Sequence, residues 1–402
     1  MIPAFILSSH TIGLGVIRAL GSKNVPVKVF YYDKRDMGYV SRYAEERIFT
    51  PHPETDEEGF IGLLIDHSRR FGRGLLVPAD DSTLLVVSRH KELLQRHFIV
   101  ASTGWDVTEK FINKKYTYAL AERIGVPSPK TIVPSCLMDV KEYGRDIEYP
   151  CVVKPCISHR FYSLFGEKLV RVENFGEMLS AYKLAEEAGL EVMLQEYIPG
   201  DDPHSVNYNS YFWNGEPLVE FTANKLRQSP AGFGVPSVVV NRDIPEIVGT
   251  GRKVLKAMGF YGYSCTEFKK DARDGVYKLM EVNGRYNRSI LLSLKCGINF
   301  PWIQYRHLVR NELPAGPLGT GGKDATEEVC WIDEFRDVFQ GLGSSGIGRR
   351  SPAQFVKPYL KPHVFATFSR KDIKPFVKRC ADMVRMGIHR LAHGARGGGR
   401  QR

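Results

Sequence analysis

The stretch Cys265-Thr-Glu-Phe-Lys-Lys-Asp271, with Tyr277-Lys-Leu-Met-Glu-Val-Asn-Gly-Arg285 shortly after it, is the most informative part of this chain. Its apolar residues predict two short strands that pair around a turn. Side chains two residues apart on a strand point to the same face, so Glu281 and Asn283 are expected side by side. Glu267 can join them from the neighbouring strand.

These three side chains form the pattern of a metal site. Two carboxylates and a carboxamide supply hard oxygen ligands, which suit Mg²⁺ (or Mn²⁺) and leave coordination positions for phosphate oxygens. Arg285 shares the strand register and would place a cation beside them. The alternative is a hairpin with solvated acids, and residues elsewhere in the chain are needed to decide between the two.

Two upstream segments add the residues of a nucleotide site. Tyr149-Pro-Cys-Val-Val-Lys-Pro155 is an apolar strand that delivers Lys154, and Val192-Met-Leu-Gln-Glu-Tyr-Ile-Pro-Gly200 is a strand that ends in a turn. The order along the chain is Lys, then Glu-Tyr-Ile, then Glu, then Glu-x-Asn-x-Arg. With these motifs in this order, residues 1–312 resemble the ATP-grasp superfamily, and within it the carboxylate–amine (or thiol) ligases.

The resemblance implies phosphate contacts for two lysines. Related ligases use lysines at the positions of Lys114 and Lys154 to bind the phosphates of ATP. Lys114 also opens a helix, where free N–H groups already favour anions. The family usually has Asp-Lys where this chain has Asn113-Lys114, which leaves Lys115 as the alternative.

The predicted phosphate cover departs from the family pattern. Related enzymes often place a glycine-rich loop between the second lysine and the next strand. Residues 157–168 contain one glycine here, and the loop would close over phosphates with Lys168, His159 or Arg160.

Adenine needs a donor–acceptor edge, and the strand end at 196–198 offers one. Glu196 can accept from the exocyclic amine, while the backbone of Tyr197 and Ile198 can pair with the ring nitrogens. Asp201, Asp202 and His204 follow, and we expect them to contact the ribose or the phosphates. The alternative is that these three residues form a solvated turn.

Lys225 and Arg227 precede a flexible Pro/Gly stretch that ends at Gly234. In the resemblance this region faces the acceptor side of the cleft, where two cations could hold an acyl phosphate or a carboxylate. An exposed hairpin is the alternative. The third catalytic cation implied is Arg285, which would stabilise the acyl phosphate.

The composition is that of an ordinary globular protein: 402 residues, 43% hydrophobic and 25% charged. No run approaches eighteen apolar residues, and no basic segment precedes the first apolar one, so neither a membrane-spanning helix nor a signal peptide is expected. Seven cysteines without CxxC spacing favour a reducing cytosol and argue against a cysteine zinc site. The predicted location is cytoplasmic.

The fold class predicted is α/β, with a Rossmann-like parallel sheet first and an ATP-grasp domain of two α+β subdomains after it. Strand and helix signals alternate over residues 1–107, which indicates the parallel sheet. Residues 108–312 would form the ATP-grasp domain, with a lid subdomain at about 125–200. Residues 313–402 are predicted to be a basic extension.

A dinucleotide site is the first rival interpretation. Gly13-Leu-Gly15 follows a predicted strand, and Asp33 lies where a ribose-binding acid could stand, but position 18 is Arg instead of the third glycine of GxGxxG. A nicotinamide-dependent reductase would need that site. The second rival, an ATP-binding regulator without turnover, is disfavoured by the intact Glu/Glu/Asn/Arg set.

The net charge of +11 belongs to the C-terminus. Residues 341–402 hold 14 Lys and Arg against Asp372 and Asp382, which leaves 42 basic and 43 acidic residues before them. The body is therefore near neutral and gives no case for nucleic-acid binding.

Within this tail, apolar residues recur at helical spacing with basic residues between them, which predicts a basic amphipathic helix. Such a helix suits an anionic membrane surface, such as the inner face of the membrane, or docking on the body or a partner. Its apolar positions are Ile373, Phe376, Val377, Cys380, Met383, Val384, Ile388 and Leu391.

The function predicted is an ADP-forming ligase that uses Mg²⁺ and ATP to activate a carboxylate as an acyl phosphate and then joins it to an amine. No enzyme nucleophile is needed, in keeping with the lack of a convincing Ser/His/Asp or Cys/His set. Small-molecule carboxylate and amine substrates are the expected partners, and a homodimer is a further expectation.

Overall fold

The computed structural model describes residues 1–157, 165, 168–314, 327–342 and 351–397. Three sheets organise the chain: a parallel sheet at the N-terminus, a small antiparallel sheet and a large mixed sheet. Within the described residues, no helix is both long enough and apolar enough to cross a bilayer.

The N-terminal sheet has five parallel strands in the order β3-β2-β1-β4-β5, which confirms the predicted fold class. Central strand β1 is apolar and wholly buried because helices cover both faces of a parallel sheet. Edge strand β3 alternates buried and exposed residues. The strands are β1 Ala4–Leu7, β2 Val27–Tyr31, β3 Ala44–Phe49, β4 Leu75–Pro78 and β5 Ile99–Val100; the helices are α1 Thr11–Gly21, α2 Glu57–Phe71, α3 Asp81–Arg89 and α4 Lys91–Gln95.

Close packing accounts for Gly13 and Gly15 of α1. A Cβ atom at Gly13 would lie 2.2 Å from the carbonyl oxygen of Ser8, and one at Gly15 would lie 2.5 Å from the side chain of Ile290. Arg18, which stands where a dinucleotide motif has its third glycine, is buried in an ion pair with the C-terminal region. These contacts explain the motif without a nicotinamide site.

The small sheet is antiparallel, in the order β6-β9-β7-β8, and lies within the residues expected for the lid. Its two helices bury Val140, Met178 and Tyr182 against it. Two helices precede it, and the chain breaks between them at Asn113. The elements are α5 Trp105–Ile112, α6 Lys114–Arg123, β6 Thr131–Ile132, α7 Leu137–Asp146, β7 Cys151–Pro155, β8 Val170–Val172, α8 Phe175–Glu187 and β9 Val192–Glu196.

The large sheet has seven strands in the order β14-β13-β10-β11-β12-β15-β16, and only its last pair is parallel. The predicted hairpin forms one edge of it. The elements are β10 Ser205–Trp213, β11 Glu216–Ser229, β12 Val235–Asn241, α9 Pro245–Met258, β13 Gly262–Lys270, β14 Tyr277–Asn283, α10 Ile290–Lys295, α11 Phe300–Arg310, β15 Cys330–Ile332, α12 Glu334–Leu342, α13 Pro352–Val356, β16 His363–Phe365 and α14 Lys374–Gly397.

The C-terminal region is not the separate extension that the charge distribution predicted. Strand β15 pairs with β12 and buries Trp331 completely in the main core. Asp372 accepts bonds from Arg18 Nε at 2.9 Å and from Ser41 Oγ at 2.7 Å in the N-terminal domain. Because buried apolar and ionic contacts cross the boundary expected at 312, the residues on both sides of it pack as one unit.

Candidate functional site

The hairpin of β13 and β14 brings the predicted metal ligands together. Glu267 lies directly opposite Glu281, and Cys265 lies opposite Asn283. Paired residues of an antiparallel ladder share a face, so both carboxylates and the carboxamide point to the same side of the sheet.

A β-bulge at Met280 sets the direction of Glu281. Phe268 pairs with Leu279, whereas its neighbour Glu267 pairs with Glu281, so Met280 is the extra residue. Without the bulge, Glu281 would share the face of Leu279, which is completely buried in the core. The bulge therefore turns the carboxylate away from the core and toward Lys114.

The donor set fits Mg²⁺. Carboxylate and amide oxygens on adjacent strands are the ligands this cation takes, and few protein ligands leave positions for phosphate. The described residues contain no cluster of three His, Cys, Asp and Glu side chains suited to a metal.

Each glutamate of the set is paired with a lysine. Lys114 Nζ lies 3.0 Å from Glu281 Oε1, and Lys225 Nζ donates to Glu267 Oε2. Burial acts to raise the pKa of Glu281, but Lys114 and other cations outweigh it and lower this pKa to about 2. Burial likewise acts to lower the pKa values of both lysines, and the facing carboxylates raise them instead. Glu281, Lys114 and Lys225 are therefore charged at neutral pH.

Lys114, not Lys115, faces this cluster. Lys115 Nζ instead lies 2.8 Å from Glu191 Oε1 at the surface. Asn113 caps α6, since its side chain accepts a bond from the Lys115 backbone N–H at 3.3 Å. An aspartate, as in the family pattern, would cap a helix in the same way.

Lys154 is buried and lies within electrostatic range of Glu281. Its Nζ donates to the Tyr118 hydroxyl at 2.8 Å, and that hydroxyl donates to the Met280 carbonyl oxygen at 2.6 Å. Burial first, and then repulsion from Lys114, lower the pKa of Lys154 to about 7. The Met280 carbonyl at the bulge thus orients the Tyr118 hydroxyl, which is the hydrogen-bond partner of Lys154.

Arg285 connects the hairpin to the N-terminal domain. Its guanidinium donates two bonds to Asp81, at 2.6 Å and 2.8 Å, and Asp81 is the first residue of α3. Burial acts to raise the pKa of Asp81, but Arg285 outweighs it and this pKa falls. The pair leaves the Arg285 cation close enough to help lower the pKa of Glu281.

The predicted adenine segment follows β9. Glu196 accepts from the Lys130 backbone N–H at 3.0 Å and pairs with Arg273. Ile198 is buried, and the ring of Tyr197 is half-buried under cations. The structure therefore holds this segment in place between the small sheet and the large one.

Asp201 and His204 pair with each other at 2.6 Å near the surface. Asp202 is buried, and its oxygens accept from the backbone N–H groups of Gln228 at 3.0 Å and Gly232 at 2.8 Å. Asp202 therefore supports the neighbouring loop through these bonds. They explain why Asp202 is buried without a contact to ribose.

Arg227 corrects a sequence prediction, because it does not lie on the face that holds Lys225. The strand β11 is irregular here: Lys225 pairs with Val239, but Arg227 pairs with Val238, so the two side chains point to opposite faces. Arg227 is buried in an ion pair with Asp337 at 2.8 Å. Its position is structural, against the C-terminal region.

Lys168 lies at the end of the predicted phosphate cover. Partial desolvation lowers the pKa of Lys168, and Lys225 and Arg288 act in the same direction against the two glutamates. Its ammonium is thus within electrostatic range of the cluster. His159 and Arg160 lie outside the described residues.

Two side chains of the site, Tyr118 and Asp81, were not predicted. Tyr118 lies within a helical pattern where its spacing indicates only core, and Asp81 follows a strand more than two hundred residues away from Arg285. Neither has a local sequence signal, since each is defined by its partner in the folded chain.

Sequence comparison finds a relative that matches this chain over most of both lengths. D-aspartate ligase of Enterococcus faecium is 29% identical over 309 residues, which cover 73% of this chain and 71% of that protein. No protein-family model matches the chain.

Structural comparison gives many neighbours with the same fold. The biotin carboxylase domain of 2-oxoglutarate carboxylase from Hydrogenobacter thermophilus, solved with MgADP, ADP and bicarbonate, has a TM-score of 0.62 at 17% identity and covers 79% of this chain and 72% of that one. L-amino acid ligase from Bacillus licheniformis has a TM-score of 0.61 at 17% identity and covers 77% and 74%.

Proposed function

We propose that this chain, which belongs to the ATP-grasp superfamily by its fold, is an ATP- and Mg²⁺-dependent ligase that activates a carboxylate and joins it to an amine. The observation that carries the proposal is the Glu267–Glu281 pair, opposed across the hairpin and surrounded by lysines. Fixed cations and carboxylates in one cleft are suited to phosphoryl transfer, which depends on positioning and charge neutralisation.

The residues of the site divide into two groups. Glu267, Glu281 and Asn283 would hold Mg²⁺, which supplies charge neutralisation and orients the phosphates when bound. Lys114 and Lys154 would bind phosphate oxygens, and Arg285 would bind the acyl phosphate. Lys225, released from Glu267, would bind the substrate carboxylate or its phosphate.

The chemistry balances without an enzyme nucleophile. A carboxylate oxygen of the substrate attacks the γ-phosphorus of ATP, the bond from that phosphorus to the bridging oxygen breaks, and ADP leaves. The amine nitrogen then attacks the acyl carbon, phosphate leaves, and the nitrogen loses a proton to give the amide.

The carboxylate substrate is proposed to be an amino acid. The names of D-aspartate ligase and L-amino acid ligase support this class, and the former matches this chain over most of both lengths. The second substrate is proposed only by its chemical class, an amine, and peptide amines are the first to test.

Incubation with Mg²⁺-ATP and a panel of D- and L-amino acids, alone and with amine acceptors, tests the proposal. We expect ADP and phosphate that depend on both an amino acid and an amine, with D-aspartate in the first panel. AMP and pyrophosphate as products would contradict the acyl-phosphate route. ATP binding without turnover on any pair would favour the regulator.

A further inference from the structure

Where the side chains are described, the C-terminal helix α14 contacts the body along one side. Phe376 packs between Phe335 and Phe368, with ring centroids 5.4 Å and 5.3 Å away. Lys378 lies 5.5 Å from the centre of the Tyr39 ring. These contacts hold the first turns of the helix and bury the side that faces the N-terminal domain.

The opposite side of α14 carries an uncovered apolar stripe. Val377 and Val384 are seven residues apart, so they share a face, and they are 56% and 61% exposed. Ala381 is exposed between them. In the sequence, apolar residues continue at the same spacing at Ile388, Leu391 and Ala395.

Basic residues border the stripe, and the acidic residues of this segment are engaged in ion pairs. Lys374 and Arg385 are exposed along one edge of it. Residues 370–402 contain ten Lys and Arg against two acids, and both acids are already paired, Asp372 with Arg18 and Asp382 with Lys378. The uncovered side of the helix is therefore both apolar and cationic.

We propose that α14 binds flat on an anionic lipid surface and attaches the protein peripherally to a membrane. An apolar stripe with basic borders can enter the headgroup boundary while its cations meet lipid phosphates. Among the described residues, the contacts between the body and α14 lie on the other side of the helix. A second copy of the chain would bring two cationic edges together, which disfavours self-association.

Co-sedimentation of the full-length protein with vesicles tests this proposal. We expect binding to phosphatidylcholine vesicles that contain phosphatidylglycerol, little binding to pure phosphatidylcholine, and release at high salt. Each basic residue at such a surface contributes about fivefold, so Lys374→Gln with Arg385→Gln should weaken binding about 25-fold. Val377→Asp with Val384→Asp should weaken it at least as much.

Matched controls separate the helix face from general surface effects. Leu184→Asp changes an exposed leucine on α8, and Lys253→Gln changes an exposed lysine on α9; both should leave vesicle binding unchanged. Equal binding to neutral vesicles, or equal losses in the controls, would overturn the proposal. It would also be overturned if the wild-type chain were a dimer that Val377→Asp with Val384→Asp dissociates, since the stripe would then be an interface between copies. Vesicle binding needs no turnover, so its failure is distinct from failure of the ligase assay.

Discussion

Lys154 is poised to gain a proton when a polyphosphate arrives. Burial and the nearby Lys114 lower its pKa from 10.5 to about 7, so at pH 8 the side chain is mostly neutral. Phosphate oxygens favour the charged form and raise the pKa again. ATP binding should therefore take up protons at pH 8, and affinity should fall as the pH rises above about 7.

Calorimetry in buffers with different ionisation enthalpies measures this uptake directly. Lys154→Arg should abolish it, because a guanidinium stays protonated throughout this range. Lys154→Ala should weaken ATP binding roughly 10- to 100-fold, as expected for loss of one charge-assisted bond, while the fold persists. Unchanged proton uptake in Lys154→Arg would assign the effect to another group.

Glu281 provides the second prediction at this scale. Glu281→Gln keeps the size of the side chain but removes the charge that a divalent cation needs. We expect ADP formation to fall by at least about a hundredfold with nucleotide binding partly retained. The matched control is Glu328→Gln, which removes a carboxylate that pairs with Lys361 away from the cleft. Turnover near the wild-type rate would remove Glu281 from the metal site.

Three elements meet at the Tyr118 hydroxyl: α6 carries it, β7 supplies Lys154, and the bulge of β14 supplies the Met280 carbonyl. The bulge thus has two effects, since it turns Glu281 toward Lys114 and presents an acceptor that fixes the neighbouring cation. Removing the hydroxyl should disturb all three elements at once.

Tyr118→Phe should lower the free energy of unfolding by about 1–3 kcal/mol, because a buried carbonyl loses its donor. It should also weaken ATP binding, since Lys154 loses its partner. Denaturant titration and calorimetry measure the two effects. Tyr305→Phe is the matched control, because its hydroxyl also donates to one carbonyl, that of Ile2, away from the proposed ATP site. Equal losses in ATP affinity would show that the effect is not local.

At the scale of the whole molecule, the two ends of the chain stabilise each other. Arg18 is buried in α1, and its guanidinium donates to the Asp372 carboxylate and to the carbonyls of Thr367 and Asp372. A buried cation without its partner carries a large desolvation cost.

Truncation at two points should therefore give different results. Ending the chain at residue 370 removes Asp372 and should lower the free energy of unfolding by about 3–5 kcal/mol. Ending it at residue 386 keeps that pair and should leave stability within about 0.5 kcal/mol of the full chain. Thermal unfolding of the two truncated chains compares their stabilities. Equal stability would show that the ion pair of Arg18 with Asp372 is dispensable.

The sequence pattern predicted the parallel sheet, the hairpin and the order of the charged motifs, because these depend on local periodicity and on residue type. It did not predict β3 and α2, whose many charged residues hide their buried positions. Nor did it predict the bulges beside Arg227 and Glu281, since a regular strand assigns residues two apart to one face. The role assigned to Arg227 was wrong for that reason. Asp81 and Asp372 depend on partners hundreds of residues away.

Because each glutamate is paired with a lysine, a ligand that binds to these residues must replace an existing ion-pair partner. Glu281 with Lys114, and Glu267 with Lys225, form a quartet whose charges cancel. A cation that binds either carboxylate competes with that carboxylate's lysine, and a phosphate that binds either lysine competes with that lysine's carboxylate. A metal–polyphosphate complex satisfies both exchanges together, so the cleft should discriminate against either half arriving alone.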